Sequence, residues 1–252
     1  MGAPASNDVA VTWLGHASAA ISSPSTRLLI DPLGRRRALQ GGAPSAVLIT
    51  HAHVDHLNRY TLKALPRDVP LVVPYGARHI VTDLGFREVV EAQVGDELEF
   101  GDFHVTAVAT AHDQGRWRKS QLPSCVGYVA TSGDVRVHHA GDVDFSDFSI
   151  FDEIGKRHAL AATLLPIGGL LPVAYYRWRK ASLDRGIHID PDAAVAIYER
   201  LGARAMIPIH WGTVNLRLSP AHMPKARLLQ VADPSRHRVH VLAHHESIAL
   251  SK

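Results

Sequence analysis

Cysteine is nearly absent from this 252-residue chain; Cys125 is the single one. One thiol excludes an internal disulfide framework and any cysteine-rich zinc module. No apolar run approaches the ~20 residues that a membrane-spanning helix needs. Residues 1–7 carry neither a basic flank nor an apolar stretch, so they read as a disordered tail and not as a secretory leader. An excess of one charge is lacking too. Lys and Arg number 27 against 24 Asp and Glu, a formal net charge of +3, too small to imply a nucleic-acid partner. There is no G-x-S-x-G nucleophile turn and no G-x-x-x-x-G-K-S/T phosphate loop. These absences point to a cytoplasmic protein with no transmembrane segment, no nucleic-acid partner and no need of a Ser or Cys nucleophile.

Histidine is what the chain has in quantity, 17 in all. Imidazole is the commonest metal ligand and a routine acid or base near neutral pH. Short apolar strands alternate with helical stretches. Val9–Leu14, Ser18–Ser22, Arg27–Ile30, Val47–Thr50, Val69–Val73, Arg87–Glu91 and Phe103–Thr110 read as strands. Cys125–Thr131 and Val135–Ala140 read as a hairpin, with Leu160–Leu165, Arg204–Ile209 and Val239–Ala243 as later strands. Helices are expected at Leu57–Leu65, Ala77–Leu84, Asp147–His158, Pro191–Leu201 and Pro220–Val231. The fourth carries a full set of start and stop signals: Asp190 to cap it, Pro191 in its first turn, Gly202 after its end. Cys125 is expected inside a strand as a buried apolar residue, and Arg35-Arg36-Arg37 as a solvated loop. With no linker, repeat or low-complexity segment, residues 8–252 read as one α/β domain. The region Gly168–Ile189 lacks periodicity, and a loop of that length is usually functional or disordered.

The densest signal is His51-Ala52-His53-Val54-Asp55-His56, directly after an apolar strand. His51 and His53 are two apart, so in extended backbone they project to one side. Asp55 and His56 follow in a turn and can face a second point. Three further ligand types stand just past later strands: His112, Asp142 and His210. In α/β folds, sites gather where loops converge at the carboxyl ends of strands. His16 and Asp31 end early strands and are candidates to orient metal-bound imidazoles. His188 lies just before the capped helix. His138, His139, His244 and His245 have no such placement and read as structural or solvent-facing.

With its HxHxDH run at His51–His56, the chain resembles the metallo-β-lactamase fold superfamily. Within it, the sequence is most similar to the N-acyl-phosphatidylethanolamine-hydrolysing phospholipase D group and the adjoining ascorbate-6-phosphate lactonase-like proteins. The similarity rests on Thr12-Trp13-Leu14-Gly15-His16, Leu29-Ile30-Asp31-Pro32, His139-Ala140-Gly141-Asp142, His188-Ile189-Asp190-Pro191 and His210-Trp211-Gly212-Thr213. It implies a four-layer αβ/βα sandwich with two mixed β-sheets, helices outside and a dinuclear metal site at one edge. One metal would take His51, His53 and His112, the other Asp55, His56 and His210, with Asp142 bridging. Imidazoles and carboxylates alone suit zinc, with manganese or iron as alternatives. The resemblance also places His188 at the mouth of the site, to bind substrate or protonate the leaving group. The chain departs from the phospholipases at Val143, after the Gly-Asp pair, and at Leu170–Trp178.

Two divalent ions ~3.5–4 Å apart lower the pKa of a shared water toward ~7 and polarise the bond it attacks. The expected activity is therefore hydrolysis, with Asp55 and His188 as catalytic residues. The expected substrate is an anionic, phospholipid-like phosphodiester, a reading that leaves room for peripheral contact with a membrane. Lactone or carboxylic ester hydrolysis, and a non-catalytic metal-binding role, are the alternatives. Two basic-aromatic stretches supply the reason for an anionic substrate: Arg116-Trp117-Arg118-Lys119 and Tyr175-Tyr176-Arg177-Trp178-Arg179-Lys180. Trp117, Tyr175, Arg177 and Trp178 would rim the site, their charge steering anions and their rings offering an apolar wall.

Overall fold

The computed structural model describes residues 9–112, 123–144, 148–169, 188–213 and 222–251. Among them, two mixed sheets pack face to face. The first runs β13(Ser247–Leu250)–β1(Val9–Gly15)–β2(Ser18–Ser22)–β3(Arg27–Ile30)–β4(Ala46–Leu48)–β5(Leu71–Pro74)–β6(Val89–Ala92). Its strands are antiparallel from β13 to β3 and parallel from β3 to β6. The second runs β12(Met206–Ile209)–β11(Ala162–Pro166)–β10(Val135–His139)–β9(Gly127–Ser132)–β8(Phe103–Val108)–β7(Glu97–Phe100). Here the hairpin strands are antiparallel and β10–β11–β12 parallel.

Strand periodicity divides the apolar residues among three cores. Alternate residues of a strand face opposite sides. Thus Ala19 and Ile21 of β2 enter the core between the sheets, while Ala20 enters the outer core of the first sheet. On β11, Ala162 and Leu164 face inward and Leu165 outward. The outer core of the second sheet is closed by α4(Ser149–Arg157), α5(Pro191–Leu201) and α6(Met223–Val231). That of the first sheet lies on the side of the short helices α1(Arg35–Leu39), α2(Arg59–Leu62) and α3(Arg78–Val81). The result is the four-layer αβ/βα sandwich expected from the resemblance. No helix among the described residues is long and apolar enough to cross a membrane.

Several elements differ from the sequence pattern. The helix expected at Leu57–Leu65 is the four-residue α2, capped by Asn58, whose side chain accepts from the Thr61 N–H. Beyond it, Ala64 and Leu65 make tighter three-residue turns. The strand expected at Val239–Ala243 is reduced to a single bridge, Val239 to Met206. The last strand is β13, antiparallel to β1. The edge strand β7 was not expected, and neither was α1, where three consecutive arginines form a short helix with a buried Ala38. Cys125 precedes β9 and is half-buried, not enclosed in a strand. The α5 expectation holds to the residue: Asp190 accepts from the Ala193 N–H, and Gly202 ends the helix in the left-handed region.

Candidate metal centre

Residues just past strand ends converge at one edge of the sandwich. His16 follows β1, Asp31 follows β3 and His51 to His56 follow β4. From the second sheet come His112 after β8, Asp142 after β10 and His210 after β12. Three of these residues adopt backbone conformations that side chains disfavour: His16, Asp31 and His210 have φ of 55°, 45° and 59°. Left-handed non-glycine residues cost roughly 1–2 kcal/mol each, and such strain collects at functional sites. Hydrogen bonds hold it in place. Ser18 Oγ donates to the Asp31 carbonyl at 2.6 Å, and the His210 N–H donates to the His16 carbonyl at 2.8 Å.

Asp31 organises the first-sheet half of the centre. Its carboxylate is fully buried and accepts from the Thr50 N–H at 2.8 Å, from Thr50 Oγ1 at 2.6 Å and from His56 Nδ1 at 2.8 Å. The Thr50 hydroxyl proton is therefore committed to Asp31. At 3.0 Å from His51 Nδ1, its oxygen can only accept. Both histidines thus carry a proton on Nδ1, so that Nε2 of each is the atom a metal would meet. Asp31 meets an imidazole as expected. His16 instead meets a carboxylate, with Nε2 3.0 Å from Asp55 Oδ2.

The candidate ligand atoms fall into two groups, each within 4.8 Å of one another. One is His51, His53, His112 and Asp142; the other is His16, Asp55, His56 and His210. Asp142 stands between them. Its Oδ2 lies 3.2 Å from His56 Nε2 and 3.7 Å from His51 Nε2, and its Oδ1 lies 3.3 Å from His210 Nε2. Nε2 of His51, His56 and His210 and both Asp142 oxygens are buried without a hydrogen bond of normal geometry. An unsatisfied buried polar atom costs ~1–3 kcal/mol. Five of them aimed at one space fit a cationic guest, and the all-nitrogen-and-oxygen donor set suits divalent zinc, manganese or iron.

The electrostatics carry the same imprint. Burial pushes the Asp142 carboxyl up, but His210, His56 and His188 outweigh it and hold the group well below the usual carboxylate range. Burial also opposes ionisation of Asp55, and hydrogen bonds from His16 and His210 overcome it. His51 is driven well below the ordinary imidazole value, first by burial and then by His56. His56 is the exception. Burial disfavours its charge, yet Asp142 and Asp31 on its two sides raise it well above the ordinary value. A proton between two buried carboxylates compensates their charge as a cation would. His16 and His188 are each lowered to about 4, burial being the largest cause.

His188 is inside the cluster. Its Nδ1 is 3.6 Å from Asp142 Oδ2 and 3.7 Å from Asp144 Oδ1. Two glycines allow this approach: a Cβ on Gly168 would collide with the His210 carbonyl oxygen, and one on Gly169 with that of His188. In the sequence this pair reads only as a turn. Asp144 and Thr50 were missed as well. Asp144 Oδ2 accepts from His112 Nδ1 at 2.9 Å, and its signal was an aspartate two residues after Asp142. His138 and His139 are fully buried, His245 is partly buried and His244 exposed. Trp117, Tyr175, Arg177, Trp178 and the rest of the two basic-aromatic stretches lie outside the described residues.

Known proteins resemble this chain to different degrees. An uncharacterized protein of Mycobacterium tuberculosis is 27% identical over 252 residues, covering 90% of this chain and 64% of that protein. The chain thus spans 64% of the length of that relative. A UPF0173 protein of Pyrococcus furiosus is 31% identical over 205 residues, with 81% and 84% covered. The mitochondrial N-acyl-phosphatidylethanolamine-hydrolyzing phospholipase D of Saccharomyces cerevisiae is 28% identical over 250 residues, with 88% and 51% covered. Among solved structures, a metallo hydrolase of Ignicoccus hospitalis superposes with a TM-score of 0.71 at 19% identity, covering 97% of this chain and 99% of that one. The family model for the beta-lactamase superfamily domain matches residues 23–211. A match of that extent makes the chain a member of the metallo-β-lactamase superfamily.

Proposed function

We propose that this protein is a dinuclear metal-dependent hydrolase acting on an anionic phosphodiester with an apolar arm. The observation that carries the reading is Asp142, a buried carboxylate set between two ligand groups, both of whose oxygens, like Nε2 of His51, His53, His56 and His210, are buried without a hydrogen bond. His51, His53 and His112 would hold one ion and Asp55, His56 and His210 the other, with Asp142 shared. Divalent ions there supply Lewis acidity and a water acidified toward neutral pH.

The chain's own groups do the rest. Asp55 Oδ2 is fixed by His16, so this carboxylate is oriented to accept a proton from the attacking water. His188, its side chain 20% exposed, stacked on His112 and tilted against His210, stands to bind the substrate or to deliver a proton to the leaving oxygen. Within the HxHxDH run Val54 is 57% exposed, and on the following helix α2 Tyr60 is 68% exposed. Arg35 sits 5.9 Å from the Tyr60 ring centroid. That pairing of apolar surface with cation, the similarity to the yeast phospholipase and the two basic-aromatic stretches support an amphipathic anion over a neutral ester.

The test is metal analysis of zinc-loaded protein, followed by turnover of bis(p-nitrophenyl) phosphate against a neutral lactone and an aryl ester. The expected result is close to two ions per chain, joint loss of metal and activity with a chelator, and preference for the diester. Steering acts over a Debye length of ~8–10 Å at physiological salt. Accordingly kcat/KM for the diester falls as salt rises, while that for the neutral ester stays level. One ion per chain defeats the dinuclear reading, and faster turnover of the lactone or ester defeats the substrate class.

A further inference from the structure

The residues around Asp142 do more than present one carboxylate. Thr110 Oγ1 donates to the carbonyls of Ala140 and Asp142, at 2.8 and 3.0 Å. The Val143 carbonyl accepts from the Ile189 N–H at 2.9 Å, and the Asp144 N–H donates to the Ala111 carbonyl at 2.6 Å. The tripeptide Asp142-Val143-Asp144 thereby ties the segment carrying His112 to the one carrying His188. The side chain of Asp144 lies between the two rings, with Oδ2 2.9 Å from His112 Nδ1 and Oδ1 3.7 Å from His188 Nδ1.

We infer that Asp144 is a positioning residue: its carboxylate fixes the tautomer and tilt of His112 and sets the gap between His112 and His188. A carboxylate only accepts, so the His112 proton sits on Nδ1. Its Nε2 is then a lone pair, and it points at His53 Nδ1, 3.3 Å away, inside the first ligand group. Carboxylate–histidine pairs of this kind fix ligand orientation, and their loss costs ~10–100-fold in metal affinity. Among the described residues, the metal ligand that the Asp144 side chain contacts is His112, of the first group, so its effect is one-sided. The metal part of this inference rests on the dinuclear reading; the tautomer does not.

The experiment uses the full chain with Asp144→Ala and Asp144→Asn. In metal-free protein labelled with 15N-histidine, long-range 1H–15N spectra report the His112 tautomer. Chelator competition with Zn2+ then gives the two stepwise affinities. In Asp144→Ala the expected outcome is a His112 ring that no longer holds the Nδ1–H form exclusively, with one step weakened ~10–100-fold and the other unchanged. Asp144→Asn, which keeps an acceptor oxygen, restores part of both. An unaltered tautomer overturns the proposal. So do two steps weakened equally alongside a lowered melting temperature, since Asp144 would then serve only the fold. Failure of the wild type to bind a second ion or to cleave the diester counts against the hydrolase reading, and the tautomer measurement still decides the role of Asp144.

Discussion

The two halves of the centre are built to different standards. On the first-sheet side, the fully buried Asp31 satisfies three donors and orients two histidines at once. On the second-sheet side, His112 is held by Asp144, whose side chain is 19% exposed. The first half is organised before any ion arrives. The second shares its neighbourhood with His188, half-buried and next to the opening. Under the proposed hydrolysis, this division would give a rigid base for the ions and a more accessible flank for the substrate.

Asp142 belongs to both halves, so its replacement has the largest effect. Asp142→Ala removes the carboxylate that faces His51, His56 and His210. Activity falls below detection, and elemental analysis finds less than the full metal complement. A variant with undiminished turnover would reduce Asp142 to a turn residue.

Asp31→Ala tests the rigid half. It leaves the Thr50 N–H, the Thr50 hydroxyl and His56 Nδ1 without their acceptor in a region closed to water. At ~1–3 kcal/mol per unsatisfied group, urea unfolding of metal-free protein should show a loss of roughly 3–9 kcal/mol. Asp144→Ala should lose only about 1 kcal/mol, because water can reach the vacated position. Equal losses in the two variants would erase the contrast between the halves. On the accessible flank, His188→Ala keeps both ions and loses ~10²–10⁴ in kcat if the ring protonates the leaving group. A raised KM with kcat preserved would make it a binding residue, and a lost ion would make it a ligand.

The same contrast explains what the sequence makes legible. HxHxDH and the strand-end His112, Asp142 and His210 can be read because ligand type and strand end are both local properties. Asp31 can be read because a β-strand stops at it. Asp144 is marked only by lying two residues after Asp142, and Asp144 and Thr50 take their roles from His112 and Asp31, which come from elsewhere in the fold. The roles of Gly168 and Gly169 depend on close approach to His210 and His188, which only the tertiary structure brings near. Among the elements, α5 is legible because its start and stop are written in Asp190, Pro191 and Gly202. Val239–Ala243 has strand composition, yet it joins the edge of the second sheet only through the Val239–Met206 bridge. β7 is hidden by its exposed Glu97 and Glu99, as befits an edge.

The effect that depends on pH lies behind the accessible half, where two adjacent histidines differ. In His139 both ring nitrogens are used: Nδ1 accepts from the Gly141 N–H at 3.1 Å, so Nε2–H donates to the Ala17 carbonyl at 2.9 Å. His138 bonds Thr163 Oγ1 at 2.9 Å through Nδ1, while its Nε2 is buried without a partner. No carboxylate compensates a charge there. Burial, with His139 and His158 adding to it, lowers His138 from 6.5 to about 3. The unfolded chain therefore binds a proton at His138 in a pH range where the folded chain does not. Its stabilising contribution is complete above pH ~6.5 and is lost as pH falls toward 3, at up to ~1.4 kcal/mol per pH unit. Between neutral pH and pH 5 the loss comes to about 2 kcal/mol. His138→Leu removes this titration, whatever it costs at neutral pH by stranding Thr163. Urea unfolding at pH 7 and pH 5 should show the gap between variant and wild type shifting by that amount in the variant's favour, with the ligand histidines common to both. An unchanged gap would mean that His138 gains a partner on protonation, and that this side of the fold tolerates acid as well as the Asp31 side.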